Sequence, residues 1–403
     1  MTKTVRLQRS LGLPLVTLYG LGNILGAGIY VLVGKVAGFA GSGTTVSFLI
    51  AMITATFTAF SYMELSGRYP VSASVSVYLH KAFGKRWLSV AVGLAMVGGG
   101  ITSAAALSQG FAGYLQTLFG VPMLAASLGL LVVLGAVALK GIGESAKAAA
   151  LFTSIEVFGL LLVLWFGRSA FGEAQLSHIV SIDPVMGIGG LISGAFLAFY
   201  AFIGFEDMVN VAEETKNPKR TMPIAILLSL VLSTTLYLLV VFVATTILKP
   251  SELAESSAPL TLVFERSGAN SAGILSIIGM IATVNGVIVQ IIMCSRILYG
   301  LARQGWIHRK LALVHSTYKT PLTATLVVLG AMIVGTTFLP LVSLAQLTSL
   351  LVLSIFILVN TALIVIKRRE KQHDGYVTVP SFVPYAGATL SAAAIIHQVL
   401  DWL

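Results

Sequence analysis

Eleven long apolar stretches follow one another along this chain of 403 residues. A helix needs about 20 mostly apolar residues to cross the hydrocarbon core of a bilayer. Only 10% of the residues are charged, whereas a soluble domain carries about 25%, so we predict an all-α polytopic membrane protein with one domain, residues 1–403. The predicted spans, numbered 1 to 11 in chain order, are 12–39, 43–65, 87–117, 121–139, 148–167, 186–211, 222–248, 272–302, 321–338, 341–366 and 382–401.

The distribution of basic residues predicts the orientation of these spans. With the N-terminus in the cytoplasm, twenty Lys and Arg residues fall in cytoplasmic segments, and only Arg168, Lys249 and Arg266 fall in external loops. Cytoplasmic loops of membrane proteins are enriched in Lys and Arg. We therefore predict an integral protein of the cell (inner) membrane with a cytoplasmic N-terminus and an external C-terminus. The net charge of +10 then reflects topology, and we predict no nucleic-acid partner.

Span 1 carries Gly22, Gly26 and Gly28 within seven residues. Because each glycine costs roughly 1 kcal/mol in a helix interior, a break is inexpensive here. Non-helical backbone inside a membrane is tolerated only where it lines a cavity, and the N-terminal end of a half-helix starting near Ile29 suits a carboxylate. Close packing of helices explains such glycines equally well, so span 1 alone leaves both explanations open.

Span 6 has a similar interruption at Gly204, which is followed by Glu206 and Asp207. Spans 1 and 6 lie five spans apart. Glycine-interrupted segments at corresponding positions of two halves are a sequence indicator of the binding site in transporters built from repeats. We therefore predict a binding site between the two breaks.

At these residues the chain resembles the amino acid–polyamine–organocation superfamily of permeases, and in particular its cationic amino acid transporters and arginine–agmatine exchangers. The run 26–29 resembles the superfamily's span-1 signature, and 201–206, continuing into 212–223, resembles its span-6 signature and the next loop. The segments 64–70 and 295–305 resemble the ends of its spans 2 and 8. The similarity extends from about residue 10 to residue 401.

The resemblance implies a five-plus-five inverted repeat with discontinuous helices 1 and 6. Repeat one covers about 12–167, repeat two about 186–366, and one peripheral helix covers about 382–401. Many members have a twelfth span, which this chain lacks, so the oligomeric state stays open.

The resemblance also implies which backbone groups hold the substrate. In the superfamily, N–H groups of span 1 bind the substrate carboxylate, and carbonyls of the broken helices bind its amine. The matching residues here are Ala27, Gly28 and Ile29 for the carboxylate, and Tyr200, Ala201 and Ile203 for the amine.

Three side chains match functional positions of the superfamily. Tyr200 occupies the position of a gating aromatic residue, and Asn23 and Glu206 match residues of arginine–agmatine exchangers, in which the acid senses protons. Glu206 mildly favours a cationic substrate. An alternative is that Glu206 only caps backbone donors that the break sets free. We make no prediction for Asp207.

Glu156 is a carboxyl group near the middle of span 5. It lies about nine residues from Lys147, which corresponds to a depth of roughly 14 Å. A charged side chain there costs at least about 2.5–3.5 kcal/mol, so we predict that Glu156 binds a proton during part of the cycle and couples transport to protons. A permanently neutral Glu156 with one interhelical hydrogen bond, or a role in binding sodium, remains an alternative.

These features predict a secondary active transporter of amino acids or related amines that works by alternating access, as a proton symporter or an exchanger. A sodium-coupled symporter and a membrane ligand sensor on the same fold are the alternatives. We predict no enzyme, cofactor or metal site, because the sequence offers no nucleophile–base constellation or metal-ligand spacing. The expected partners are a small amino acid or amine and the lipid bilayer.

Overall fold

A computed structural model describes residues 9–71, 74–141, 146–172, 182–269, 272–370 and 375–403. Among these residues there is no β-strand, only an isolated bridge between Leu11 and Thr215, and the predicted all-α class is confirmed. The α-helices of this part are α1 (Leu13–Ala40), α2 (Thr44–Arg68), α3 (Ser74–Phe83), α4 (Arg86–Phe119), α5 (Met123–Lys140), α6 (Ala146–Phe166), α7 (Gly187–Phe199), α8 (Pro218–Ile247), α9 (Pro250–Glu255), α10 (Pro259–Arg266), α11 (Ala272–Arg303), α12 (Leu322–Phe338), α13 (Leu341–Arg369) and α14 (Phe382–Trp402).

Nine helical stretches within the described ranges are long and apolar enough to cross a membrane. The first of them, Leu13–Arg68, contains both α1 and α2, and the apolar α12 has only 17 residues. A polytopic membrane protein is therefore confirmed, while the count of eleven spans stays a prediction. Apolar side chains on α5 and α6, such as Val132 and Trp165, point outward and are exposed, as expected for surfaces that contact lipid.

The long helices form two groups. In the first, α1, α2, α7 and α8 pack against one another, and in the second, α4, α5, α11 and α12 do so. Each group takes two helices from each predicted repeat and pairs each helix with the one five spans later. This arrangement fits the predicted five-plus-five fold, and the boundaries of the repeats stay a prediction.

Helix α14, which we predicted to be peripheral, packs against the other helices on one side. It contacts α2, α7 and α13, and a Cβ atom at Gly387 would lie 2.6 Å from Asn360 Oδ1. Asn360 in turn bonds Ser61 and Thr58 of α2, at 2.6 and 2.9 Å. A polar interhelical contact of this kind fixes the register of helices that lipid alone would let slide.

The molecule has two ends that we call the basic face and the opposite face. The basic face carries Lys81, Arg86, Arg303, Arg309 and Lys367, and the opposite face carries α9 and α10. The cytoplasmic placement of the basic face follows from the sequence and stays a prediction.

A buried ion cluster connects three helices at the basic face. Glu64 of α2 is fully buried and pairs with Arg68 at 2.7 Å and with Lys367 of α13 at 2.6 Å. The Val379 N–H also donates to Glu64, at 2.8 Å, and the Val379 carbonyl accepts from Lys367, at 2.6 Å. Both the N–H and the carbonyl of Val379 are thus held just before α14 begins.

Candidate functional site

Helix α1 is broken at the predicted place. Gly26 has φ 0° and ψ −164°, which is non-helical, in the middle of an otherwise helical segment. A Cβ atom built at Gly26 would meet no atom within 4 Å, so this backbone borders open space. The break leaves N–H and C=O groups around Gly26 without the partners of a regular helix.

The span that contains α7 is also broken where we predicted. After α7 ends at Phe199, a short 3₁₀ turn leads to Ile203, which is extended, and Gly204 follows with φ +131°. Only glycine adopts that backbone region without strain. The chain then continues as a 3₁₀ segment, Phe205–Glu214.

The two breaks touch each other. A Cβ atom at Gly28 would lie 2.8 Å from Ala201 Cα, and one at Gly204 would lie 2.3 Å from the Asn23 carbonyl oxygen. Any larger residue at either glycine would push the two backbones apart. Glycine is therefore required for this close approach as well as for the bends.

Tyr237 of α8 stabilises both breaks with one hydroxyl group. Its oxygen lies 2.5 Å from the carbonyl oxygen of Ile24 and 3.0 Å from that of Ala201. These carbonyls immediately precede the two interruptions, and inside a membrane such groups need a partner. The shared tyrosine thus ties the broken segments of α1 and α7 together.

A cavity of about 60 Å³, which we call the cradle, lies between the two breaks and the second helix group. Four predicted site residues, Asn23, Gly28, Tyr200 and Ile203, line it. Asn23 Nδ2 is buried and has no hydrogen-bond partner within the described part of the chain, so it is a donor available to a ligand. The cradle is completed from α4 by Ser103 and Leu107, and from α11 by Asn285, Gly286, Val289 and Gln290.

Other predicted residues lie beside the cradle but do not line it. Ile29 is fully buried, and the Ala201 carbonyl accepts from Tyr237. The side chain of Ala27 falls outside the described part of the structure. The roles assigned to these backbone groups stay predictions.

Tyr200 links the two helix groups above the cradle. It lies on the segment of the broken helix that leads to the opposite face, and its hydroxyl is 2.9 Å from Ser103 Oγ of α4. The residue is only 6% exposed. This position suits the predicted gate, because the contact closes the cradle away from the basic face.

Glu206 turns back on the break. Its Oε2 accepts the N–H of Gly204 at 2.8 Å, and the residue is buried. A carboxylate that accepts a backbone N–H at the start of a helical segment acts as a cap. Of the two explanations that the sequence left open for Glu206, the geometry favours this capping role.

Asp207 is a cavity residue that sequence analysis missed. It lines the cradle and also the two neighbouring cavities described below. On an α-helix Asp207 would point about 100° away from Glu206, and this gave no reason to assign it a role. The pair of acids directly after an interrupting glycine was the available indication.

A larger cavity of about 790 Å³, the vestibule, connects the cradle region with the basic face. It shares Asp207 and Val289 with the cradle, and it reaches Arg86 at the start of α4 and Trp306 just after α11. Lys81 and Arg296 also line it. The vestibule therefore reaches from the basic face to residues that line the cradle.

The opposite face is closed by close packing of α1 against α9. A Cβ atom at Gly34 would lie 2.1 Å from the Leu253 carbonyl oxygen, and Lys35 Nζ donates to the Ala254 carbonyl at 2.5 Å. Both contacts lie in the part of α1 beyond the break. The structure thus has its cavity open on one side only.

A third cavity of about 40 Å³, the side pocket, extends from the cradle between α2, α4, α11 and α13. The cradle and the side pocket share four residues, namely Ser103, Ile203, Asp207 and Gln290. Its remaining walls include Met96, Gly99, Gly100, Met293, Val352, Ile355 and Phe356. Residues from four helices far apart in sequence meet here, and no single segment predicts such a pocket.

Glu156 of α6 lies behind the cradle and is completely buried. Its Oε1 is 3.4 Å from Asn285 Nδ2, and its Oε2 has no hydrogen-bond partner among the described residues. Since Asn285 lines the cradle, one side chain connects Glu156 with the cradle. Within the described ranges, no cluster of three or more His, Cys, Asp or Glu residues forms a metal site.

Comparison with known proteins places this architecture among transporters. A family model of amino acid permeases matches residues 11–399. The chain is 30% identical to the branched-chain amino acid permease BcaP of Bacillus subtilis (strain 168), over 98% of this chain and 89% of that protein. It is 27% identical to the methylthioribose transporter of the same organism, over 95% and 86% of the two chains. It is 29% identical to cationic amino acid transporter 4 of Mus musculus, over 90% of this chain and 60% of that protein.

Proposed function

The chain belongs to the amino acid permease family, and from this premise we propose that it is a secondary active transporter that carries amino acids across the cell membrane by alternating access. The two touching helix breaks carry this proposal. They bring backbone donors and acceptors to one small cavity, where a zwitterion supplies the complementary charges. The names of the relatives refer to branched-chain amino acids, methylthioribose and cationic amino acids, so they do not select one side chain.

The substrate main chain occupies the cradle in this proposal. Its carboxylate accepts from the N–H groups of Ala27, Gly28 and Ile29, at the positive end of the second half of α1. Its ammonium group lies toward the carbonyls of Tyr200, Ala201 and Ile203, with Asn23 as a further contact. Asp207 supplies the negative charge nearest to this end of the cradle.

The vestibule defines the state of the cycle. With the basic face in the cytoplasm, as the sequence predicts, the structure corresponds to an inward-open carrier. Its outward-open counterpart requires Tyr200 to leave Ser103 and the outer half of α1 to separate from α9. The same movement must close the vestibule, so that the cradle is never open to both sides.

Glu156 is the coupling residue in this mechanism. A buried carboxyl group with one unpartnered oxygen is costly to keep ionised, so proton binding and release can follow the opening and closing of the cavity. Asn285 connects the change to the cradle. No other described residue combines complete burial, a carboxyl group and direct contact with a side chain of the cradle.

Glu156→Gln tests the coupling. Purified protein in proteoliposomes, with a pH gradient of one unit, should accumulate substrate up to about tenfold when one proton moves with each substrate. We expect Glu156→Gln to lose this accumulation while it still exchanges internal for external substrate. Glu265→Gln, which changes an exposed acid of α10 on the opposite face, is the matched control and should keep accumulation. Unchanged accumulation in Glu156→Gln would reject the role of Glu156.

The same vesicles separate the alternatives. Accumulation that follows a sodium gradient and ignores the pH gradient identifies a sodium-coupled symporter. Substrate binding in detergent without uptake or exchange in vesicles identifies a sensor. Either result replaces the proton-coupled mechanism and leaves the family assignment intact.

A further inference from the structure

We infer that the substrate carries a small branched aliphatic side chain, which occupies the side pocket while the main chain lies in the cradle. This inference rests on the proposed function and specifies its substrate class. The inference follows from the size of the two cavities, from the mostly apolar wall of the side pocket and from the hydrogen bonds that the polar groups of this wall make within the protein.

The cavity sizes match an amino acid of this class. Both cavities exceed the about 10–15 Å³ that one water molecule needs. The cradle, with about 60 Å³, is the larger of the two and suits the main chain, and the side pocket, with about 40 Å³, suits a side chain of a few carbons.

The side pocket has a mostly apolar wall. Val352, Ile355 and Phe356 of α13 face Met96 of α4 and Met293 of α11 across it. An aliphatic side chain gains free energy in proportion to the apolar surface that it buries against such a wall. A charged side chain would lose its hydration there without enough polar partners.

The polar groups of the wall are mostly engaged within the protein. Thr348 Oγ1 donates to the Leu344 carbonyl at 2.9 Å and lies 2.7 Å from Thr102 Oγ1. Ser103 Oγ is paired with Tyr200, and Glu206 accepts the N–H of Gly204. Thr348 and Ser103 are therefore engaged within the protein, whereas the Tyr62 hydroxyl, on the α2 side of the pocket, has no hydrogen-bond partner among the described residues.

Two further polar residues lie at the junction of the cradle and the side pocket. Asp207 and Gln290 line both cavities, and Gln290 Oε1 has no hydrogen-bond partner in the described part of the chain. At this junction they face the substrate ammonium group, which every amino acid has. The second acid of the side pocket, Glu206, already accepts the Gly204 N–H, so a lysine or arginine side chain would have to compete with that backbone group.

A competition series in proteoliposomes tests the inference. Labelled leucine exchange is measured with unlabelled alanine, valine, isoleucine, leucine, phenylalanine, lysine and arginine as competitors. We expect affinity to rise about fourfold for each carbon added from alanine to leucine. We expect phenylalanine, lysine and arginine to compete at least tenfold less well than leucine.

Two variants change the pocket in opposite directions. Gly100→Ala places a Cβ atom 2.3 Å from Cys294 Sγ and 2.7 Å from Gln290 Oε1, so it pushes the wall inward, and leucine should lose affinity relative to alanine. Val352→Ala widens the pocket, and phenylalanine should gain about tenfold. Gly98→Ala is the control, since Gly98 is next to the pocket residues on α4, does not line the pocket and should keep the original selectivity.

The outcomes separate the inference from the proposed function. If lysine or arginine competes best, or if the rank order ignores side-chain size, the inference is wrong while amino acid transport stands. If no amino acid is exchanged by protein that folds normally, the proposed function itself is wrong. Val352→Ala keeps the test decisive if Gly100→Ala does not fold.

Discussion

Glu156 and Glu206 look alike in the sequence but occupy different environments. Both are buried acids in membrane-spanning segments. Glu206 accepts a backbone N–H at 2.8 Å, whereas Glu156 has only the Asn285 amide at 3.4 Å and one oxygen with no partner among the described residues. The comparison teaches that a carboxylate with backbone donors supports the fold, whereas a buried carboxylate without them is able to exchange a proton during the cycle.

The largest effect that sharpens this comparison is expected at Glu64, which has the most complete set of partners. Glu64→Gln leaves Lys367 without its buried counter-charge and Arg68 with only the half-exposed Glu370 at 3.5 Å, and we expect it to lower the free energy of unfolding by about 3–5 kcal/mol. The sole cysteine, Cys294, is buried, so its reaction with a thiol-specific dye during heating measures unfolding. Glu252→Gln weakens a solvent-accessible pair with Arg266 and retains an acceptor oxygen for the Lys249 N–H, so it should change the free energy by no more than about 1 kcal/mol.

A smaller loss is expected at Glu206. Glu206→Ala removes the acceptor of the Gly204 N–H and should cost about 1.5–3 kcal/mol, the range for hydrogen bonds to charged groups. Glu206→Gln retains an acceptor oxygen and should cost less. The same thiol assay compares the two variants, and equal stability of both with the unaltered protein would contradict the capping role.

Glu156→Gln should change stability least among the buried acids. Its carboxyl group has one long contact and no backbone donor, so we expect a difference below about 1 kcal/mol, although coupling is lost. A large loss of stability at Glu156 together with intact coupling would reverse the comparison.

The smallest effect is expected at Asp183, outside the spans. Backbone N–H groups of Ser42, Val185 and Met186 hold the pKa of Asp183 below its ordinary value. Because the folded pKa is the lower one, Asp183 stabilises the fold above the unfolded pKa of about 3.9, and this contribution disappears as the pH falls through the folded pKa. As the pH falls from 6 to 3, the unfolding temperature should decrease less for Asp183→Asn than for the unaltered protein.

The sequence predicts the fold and the location of the site better than it predicts the site's contents. Glycines indicate the breaks because residues other than glycine rarely adopt a positive φ such as the +131° of Gly204. Long apolar runs reveal the helices, because lipid leaves the backbone few alternatives. The short α12 and the continuous stretch through α1 and α2 show why the number of spans is harder to derive.

Side-chain roles depended on contacts between distant segments. The sequence singled out Glu206, but the 3₁₀ geometry after Gly204 turns Glu206 toward the backbone and places Asp207 at all three cavities. Gln290 of α11 and Val352 of α13 both line the side pocket, although α12 separates these two helices in the chain. Such contacts arise from tertiary packing, and no periodic pattern in a single sequence indicates them.

The vestibule has a kinetic consequence. In the proposed orientation, the empty carrier is open toward the cytosol, which is the state that follows release of the substrate. We therefore expect the return of the vacant binding site to be the slow part of each turnover. A solute waiting on the inner side shortens that return by refilling the site. Uptake into preloaded vesicles should therefore outpace uptake into empty ones, the behaviour known as trans-stimulation.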